Sequence, residues 1–387
     1  MVAPSRAATL ALVAGEASGD LLAAQLLRGL QARWPGLRAC GIGGPQLQAQ
    51  GFDAWWPSEK LAVRGYVEVL RHYREIVGIR RALKERLLAD PPRLFIGVDA
   101  PDFNLDLEGD LRAAGIKTVH FVAPAVWAWR PERVEKIRRC VDHVLCIFPF
   151  EPELLARHGI GATYVGHPLA PLIPVEPDRA RARAGLDLPA EASVVALLPG
   201  SRRAEIEHLL PRFLRAARLM LREQPGLRFV LPAVPALLEL ITELVARAGL
   251  QEAVRVTRGG SHAALAACDA TLIASGTATL EAALFKRPMV IAYHMNWLSW
   301  QLHQRKRLQP WVGLPNILAG EFLVPELLQD AATPEALARE TLAWLANDAA
   351  TQARRGALRQ RFAELHRELT RDTVTLAADA IEQVLAA

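Results

Sequence analysis

Short apolar runs recur along this chain, separated by longer stretches with helical spacing. They are "TLALVAG" from Thr9, "RLFIGVD" from Arg93, "KTVHFVAP" from Lys117 and "HVLCIF" from His143. Then come "SVVALLPG" from Ser193, "LRFVLPA" from Leu227, "AVRVTRG" from Ala253, "ATLIASG" from Ala270 and "RPMVIAY" from Arg287. They are apolar throughout and do not alternate, as expected of strands buried on both faces of a parallel sheet. Strand–helix–strand repetition predicts an α/β fold with doubly wound sheets. One stretch from Gly166, "GHPLAPLIPVEPDRARARAGLDLPAE", breaks the pattern with proline and charge. It predicts a Rossmann-like domain over residues 1–167, a linker over 168–190 and a second Rossmann-like domain over 191–364. At 387 residues the chain is long enough for two such domains. After about Ala331 it reads as helical to the end. Ligands of open α/β sheets lie at the carboxyl ends of the strands, so two halves facing a central cleft are expected.

Composition narrows the partners. Of 46 basic residues only six are lysine, and the net charge is +5. Arginine keeps its charge and forks onto phosphate or carboxylate, which points to phosphate-bearing ligands or an anionic membrane face. Nucleic acid is not expected, because basic and aromatic residues are not interleaved. Cys40, Cys140, Cys146 and Cys268 are far apart, so neither a disulfide framework nor a zinc site is expected, and a cytoplasmic setting is. "ATLALVAG" reads as a first strand and not a signal peptide. No apolar run reaches the roughly 18 residues of a membrane span.

The candidate chemistry sits where strands end. In "LPGSRRAEIEHLL" the chain turns through Gly200, Ser201 is expected to cap a helix, and Arg202 stands in its first turn, a place for phosphate. In "ASGTATLEAAL", Ser275, Gly276 and Thr277 turn into a helix, with Glu281 one turn on, placed to accept hydrogen bonds from a ribose diol. Together these two loops predict a sugar-nucleotide site. In "IGVDAPDFN", Asp99 ends a strand where it could take a proton from a hydroxyl, while Asp102 is expected to cap the next helix. "GEASGD" carries Glu16 and Asp20 in a turn where phosphate would be repelled. Ser18 is expected to cap the following helix, Asp20 to complement its dipole, and Glu16 to read sugar hydroxyls. "ACGIGGPQLQAQG" fails the dinucleotide fingerprint at Gln46; its glycines, Gly43 among them, would let the backbone approach a sugar. Trp127 and Trp129 could line an acceptor pocket or belong to the core. The helical stretch from Leu61 sets Val63, Tyr66, Val67, Val69, Leu70 and Tyr73 beside seven basic and three acidic residues between Arg64 and Leu88. That pattern suits either adsorption to an anionic bilayer or an ordinary core-facing helix. P-loop, zinc-protease and hydrolase-elbow motifs are absent from the sequence.

The blocks "GEASGD", "GIGGP", "DAPDFN", "VWAWR", "GHPL", "LPGSR", "SGTATLE" and "LPNILAG…VPELLQ", in this order from Gly15 to Gln329, resemble the bacterial lipid-A-disaccharide synthases. The resemblance implies a GT-B glycosyltransferase. It implies transfer of 2,3-diacylglucosamine from UDP-2,3-diacylglucosamine to the 6-hydroxyl of 2,3-diacylglucosamine 1-phosphate, giving a β-1,6 disaccharide 1-phosphate and UDP. It places the family's key aspartate on Asp99, its key arginine on Arg202, and nucleotide-side positions on Glu281 and Asn316. Arg202 is left between the UDP diphosphate and the acceptor 1-phosphate. No cofactor or metal is expected, since helix ends and arginine can do a metal's work. The resemblance further implies peripheral attachment to the cytoplasmic face of the inner membrane. It allows a C-terminal helix, about 365–387, to pack back on the first domain, and it allows a homodimer. The alternatives are another UDP-N-acetylglucosamine enzyme on the same fold (the muramyl-lipid glucosaminyltransferase or the 2-epimerase), a nicotinamide-dependent oxidoreductase, and a non-catalytic membrane-surface binder.

Overall fold

The computed structural model describes residues 9–61, 66–127, 133–294 and 309–387, apart from the side chains of Ala17 and of residues 66–72. The chain divides into two units, Met1–Pro168 with Leu369–Ala387, and Leu169–Glu368. The first unit is built on a parallel sheet of seven strands. These are β1 (Thr9–Ala14), β2 (Arg38–Gly43), β3 (Asp53–Pro57), β4 (Leu94–Val98), β5 (Lys117–Phe121), β6 (His143–Cys146) and β7 (Ala162–Tyr164), in the order β3-β2-β1-β4-β5-β6-β7. Its helices are α1 (Ala17–Arg33), α2 (Pro45–Gln48), α3 (Tyr66–Ala89), α4 (Pro101–Ala113), α5 (Arg133–Cys140) and α6 (Glu151–Ala156). β4 is buried along its whole length and β1 from Leu10 onward. Every sequence-predicted strand of this half is present, and β2, β3 and β7 are additional.

The second unit carries six parallel strands. They are β8 (Val194–Leu198), β9 (Arg228–Ala233), β10 (Val254–Arg258), β11 (Ala270–Ala274), β12 (Met289–Tyr293) and β13 (Glu326–Leu328), in the order β10-β9-β8-β11-β12-β13. Its helices among the described residues are α7 (Arg179–Gly185), α8 (Arg203–Glu223), α9 (Leu238–Arg247), α10 (Ser261–Ala267), α11 (Thr277–Leu284), α12 (Leu314–Ala319), α13 (Pro334–Leu345) and most of α14 (Ala349–Leu369). The stretch expected as a linker, 168–190, falls in this unit from Leu169 onward. Arg183 on α7 is buried and donates to the carbonyls of Ala267 and Ala192 at 3.0 and 2.9 Å, and to Asp269 at 2.8 Å. Asp269 in turn accepts the N–H of Val194 at 2.8 Å, which ties α7 to the start of β8. A cation paired this deeply cannot belong to a loose connection.

The chain returns to the first unit at Leu369, and α15 (Thr373–Ala386) lies along α1. Arg33 pairs with Asp379 at 2.6 Å and Glu382 at 2.7 Å. Gly29 faces Val374 so closely that a Cβ there would collide with it. Each sheet reverses its strand order once, between β1 and β4 in the first unit and between β8 and β11 in the second. Loops at such switch points diverge and leave room for a ligand. The four loops singled out in the sequence follow β1, β4, β8 and β11.

Candidate active site

In the first unit Asp99 follows β4 directly. Asp99 (φ 52°) and Ala100 (φ 44°) are consecutive non-glycine residues in the left-handed region, a conformation that costs roughly 1–2 kcal/mol per residue. Four hydrogen bonds hold it. The Asp99 N–H donates to Phe121 at 2.9 Å, the Asn104 amide donates to the Asp99 carbonyl at 2.8 Å, and Ala100 accepts from the N–H groups of Phe103 and Asn104 at 3.0 Å. Pro101, whose ring suits a first helical position, opens α4. The N-cap is therefore Ala100, and Asp102 lies one residue inside the helix, exposed and paired with Arg133. The expected Asp102 cap is not formed, because Pro101 starts the helix two residues early.

The turn after β1 differs from the expectation at Ser18, while Asp20 stands in the first turn of α1 as expected. Glu16, half-buried, is the extended residue before α1, and Ser18 is already inside the helix and exposed, so it caps nothing. Asp20 is buried and accepts the N–H groups of Gly44 at 2.7 Å, Gln46 at 2.8 Å and Leu47 at 3.3 Å. It holds the start of α2, and a Cβ on Gly44 would stand 2.6 Å from its Oδ2. The space beside Gly43 is filled by Leu47 and Phe52. These glycines make room for the unit's own side chains. Trp127 is buried, donates to Glu151 at 3.1 Å and packs edge-on to Phe148 and Phe150. That is a core position. Burial pushes the Glu151 carboxyl up to about 7, and burial lowers His167, which packs on Phe148, to about 4. Trp129 and Arg130 lie outside the described residues.

On α3 the two halves differ. Val63 lies outside the described residues, as do the side chains of Tyr66, Val67, Val69 and Leu70. Tyr73 is 57% exposed, whereas Ile79, Leu83 and Leu87 pack in the core with Phe95 and Phe103. The basic groups of that second half are matched inside the unit. Arg80 pairs with Asp106 at 2.6 Å, Lys84 with Asp110 at 2.9 Å, and Arg86 stacks 3.6 Å over Trp55.

In the second unit the loop after β8 runs through Gly200 (φ 117°) and Ser201 to Arg202, the N-cap of α8. Ser201 is not the cap. Glu205 reaches back instead, accepting the N–H groups of Ser201 at 2.9 Å and Arg202 at 3.2 Å and the Arg202 guanidinium at 2.6 Å. A carboxylate thus occupies the donors that the sequence offers to phosphate, and Arg202 stays 61% exposed. After β11, Gly276 (φ 145°) precedes α11 with open space where a side chain would be, and Ser275 donates to Val312 at 3.1 Å. Glu281 meets His262 at 3.3 Å, and that contact raises the histidine's affinity for a proton. His262 escaped the sequence reading, because only the packing of α10 against α11 brings it to Glu281. Asn316 is fully buried. Its amide donates to Val324 and Glu326 at 2.9 Å, and its oxygen accepts from Leu323 and Val324 at 2.9 and 3.0 Å. All four hydrogen-bonding positions of the side chain are used. Asn316 therefore has none left for a nucleotide; it holds the loop whose Val312 meets Ser275.

Two parallel Rossmann-like sheets, each with its loops gathered at a switch point, make this a GT-B-type chain. The glycosyltransferase of kitacinnamycin shares the fold with a TM-score of 0.61 at 19% identity, over 98% of this chain and 99% of that one. So does UDP-N-acetylglucosamine 2-epimerase from Neisseria meningitidis bound to UDP-N-acetylglucosamine, with a TM-score of 0.62 at 11% identity, over 98% and 99%. Fold alone does not separate transferase from epimerase. Sequence does: the family model for lipid-A-disaccharide synthetase matches residues 10–381. The lipid-A-disaccharide synthase of Albidiferax ferrireducens is 65% identical over 376 residues, 97% of each chain. The chain belongs to the lipid-A-disaccharide synthase family and is a glycosyltransferase of the hexosyltransferase class.

Proposed function

We propose that this enzyme transfers 2,3-diacylglucosamine from UDP-2,3-diacylglucosamine to the 6-hydroxyl of 2,3-diacylglucosamine 1-phosphate, with inversion, and that Asp99 is the base. The observation that carries this reading is the strained turn at Asp99, fixed by backbone and Asn104 at the switch point of the first sheet. Backbone strain of this kind clusters at active sites, which supports the reading. Asp99 takes the proton of the 6-hydroxyl, the oxygen attacks the anomeric carbon, and the bond from that carbon to the diphosphate oxygen breaks. Attack opposite the leaving group converts an α-linked donor to a β product.

Charge develops on the departing diphosphate. Arg202 and the helix start at Ser275–Thr277 flank one switch point, which favours the donor diphosphate over the acceptor phosphate as their ligand. The Glu205 contact uses only Nη1 of Arg202, which leaves its other guanidinium donors for the diphosphate. Glu281 takes the ribose diol, and Glu16 reads acceptor hydroxyls. No helix among the described residues is long and apolar enough to cross a membrane. The first turns of α3, ending at exposed Tyr73, are where the acyl chains leave the inner leaflet. A mass-detected assay with both lipid substrates tests the reading. Wild type gives disaccharide 1-phosphate and UDP, and Asp99→Asn loses about 10²–10⁴-fold in kcat while still binding UDP. Full turnover by Asp99→Asn moves the base elsewhere, and no product from a folded, UDP-binding wild type overturns the reaction.

A further inference from the structure

Directly beneath Asp99 lies a cluster that the reaction above does not use. β4 and β5 pair so that Gly97 stands beside His120, two residues before Asp99. Gly97 is required there: a Cβ would collide with Oε1 of Glu108 and lie 2.9 Å from Asn104. The vacated volume is filled by Glu108 and Asn104 from α4. Glu108 and His120 are both completely buried, and Oε1 meets Nδ1 at 2.8 Å. Oε2 of Glu108, Nε2 of His120 and Oδ1 of Asn104 are buried without a hydrogen-bond partner, while the Asn104 amide holds the Asp99 carbonyl.

Stability does not account for such a pair. Two well-packed apolar residues commonly serve a core as well as or better than a buried ion pair does, and each unmatched polar atom adds a cost. We propose that Glu108 and His120 are positioning residues for Asp99: Glu108 holds the His120 imidazole protonated, and that buried positive charge keeps the Asp99 carboxylate ionised and ready to accept a proton. The inference rests on the assignment of Asp99 as the base.

The electrostatics run in this direction. Burial alone would lower His120, but the charge and hydrogen bond of Glu108, together with the charge of Asp99, more than offset it and leave its proton affinity raised. Burial pushes Glu108 up, against the pull of His120, of the Gly97 N–H and of Lys136 on α5, so at least one proton stays on the pair. The charged and titratable groups that face the two are thus Asp99 at the end of β4, Lys136 and, on the Glu108 side, Cys140, both on α5. Coupling between charges is mutual. If Asp99 favours the imidazolium, the imidazolium favours ionised Asp99.

Two readouts test this on the full chain. The imidazole ¹⁵N shifts of His120 report its protonation directly. They should show the imidazolium at pH 7 in the wild type and the neutral ring in Glu108→Gln, and the midpoint should fall in Asp99→Asn. The acid limb of kcat/KM should move up by about one pH unit in Glu108→Gln, so that activity is lost mainly below neutrality and recovers as pH rises. A uniform loss at every pH would mark a purely structural role and overturn the inference, as would a neutral His120 at pH 7 in the wild type. If Glu108→Gln does not fold, His120→Gln supplies the acid limb and the wild-type spectrum decides the charge state. Should Asp99→Asn retain turnover, the base assignment fails, and the spectra still report whether the pair holds its proton.

Discussion

His167 provides a measurement whose size follows from its surroundings. Its ring is buried against Phe148, and burial lowers it from 6.5 to about 4. Between those values the unfolded chain holds the proton and the folded chain does not. The histidine's contribution to stability is therefore intact above pH 6.5 and is lost as pH falls towards 4. From pH 8 to pH 5 the loss is about 2 kcal/mol. Glu151, whose carboxylate accepts the N–H of Phe148, does the reverse. Burial raises it from 4.5 to about 7, so its contribution is fully present below 4.5 and is lost as pH rises through 7. Over the same span from pH 8 to 5 it adds about 2.5 kcal/mol. In the wild type the two nearly cancel. His167→Leu keeps an apolar body against Phe148 and removes one side of the balance, leaving the first unit more acid-stable by about 2 kcal/mol relative to the wild type. Urea unfolding at pH 8, 6.5 and 5, compared between the two proteins, isolates this difference because every other titrating group is common to both. Equal pH dependence in both proteins would refute the argument.

Arg202→Lys loses the planar fork and should cost about 10–100-fold in kcat/KM, read in the same disaccharide assay. Its loss in UDP affinity by calorimetry distinguishes a donor role from an acceptor role. With Glu281 on the ribose as proposed, protonated His262 competes for the same carboxylate, so UDP should bind more weakly at pH 6 than at pH 8 in the wild type and with a flat profile in His262→Ala. Arg183→Ala leaves the carbonyls of Ala267 and Ala192 without their donor, while Asp269 keeps Arg179 at 2.5 Å, and should destabilise the second unit by about 3 kcal/mol. A shift in its thermal midpoint with no change in that of the first unit is the expected trace.

The strands buried on both faces were legible because the sheet core demands apolar residues at every position. β3, β7 and β13 were not. They are edge strands, β7 and β13 are three residues long, and all are half-exposed, leaving too little pattern to read. β2 hid behind its glycines, one of which, Gly41 (φ 135°), lies against the Leu12 carbonyl. Three serine or aspartate caps were misplaced by local competition. Pro101 started α4 early, Glu205 outreached Ser201, and α1 began before Ser18. Asp99, Arg202 and the 275–277 turn could be picked out by their position after strands. Glu108, His120 and His262 could not, since strand register and helix packing bring them to their partners across the fold. Asn316 shows the converse: a residue singled out by resemblance whose hydrogen bonds all turn inward.

The return of the chain at Leu369 has a consequence for its biosynthesis. The first unit needs α15 against α1, yet the 200 residues of the second unit are translated in between. At roughly 5–20 residues per second, the ribosome delivers that helix some 10–40 seconds after the last strand of the first sheet. Through this interval the α1 surface that carries Gly29 and Arg33 is uncovered, and by its end the second unit has its entire sequence. The half of the enzyme that begins first is therefore the half that finishes last, and chaperone protection during synthesis should fall on α1.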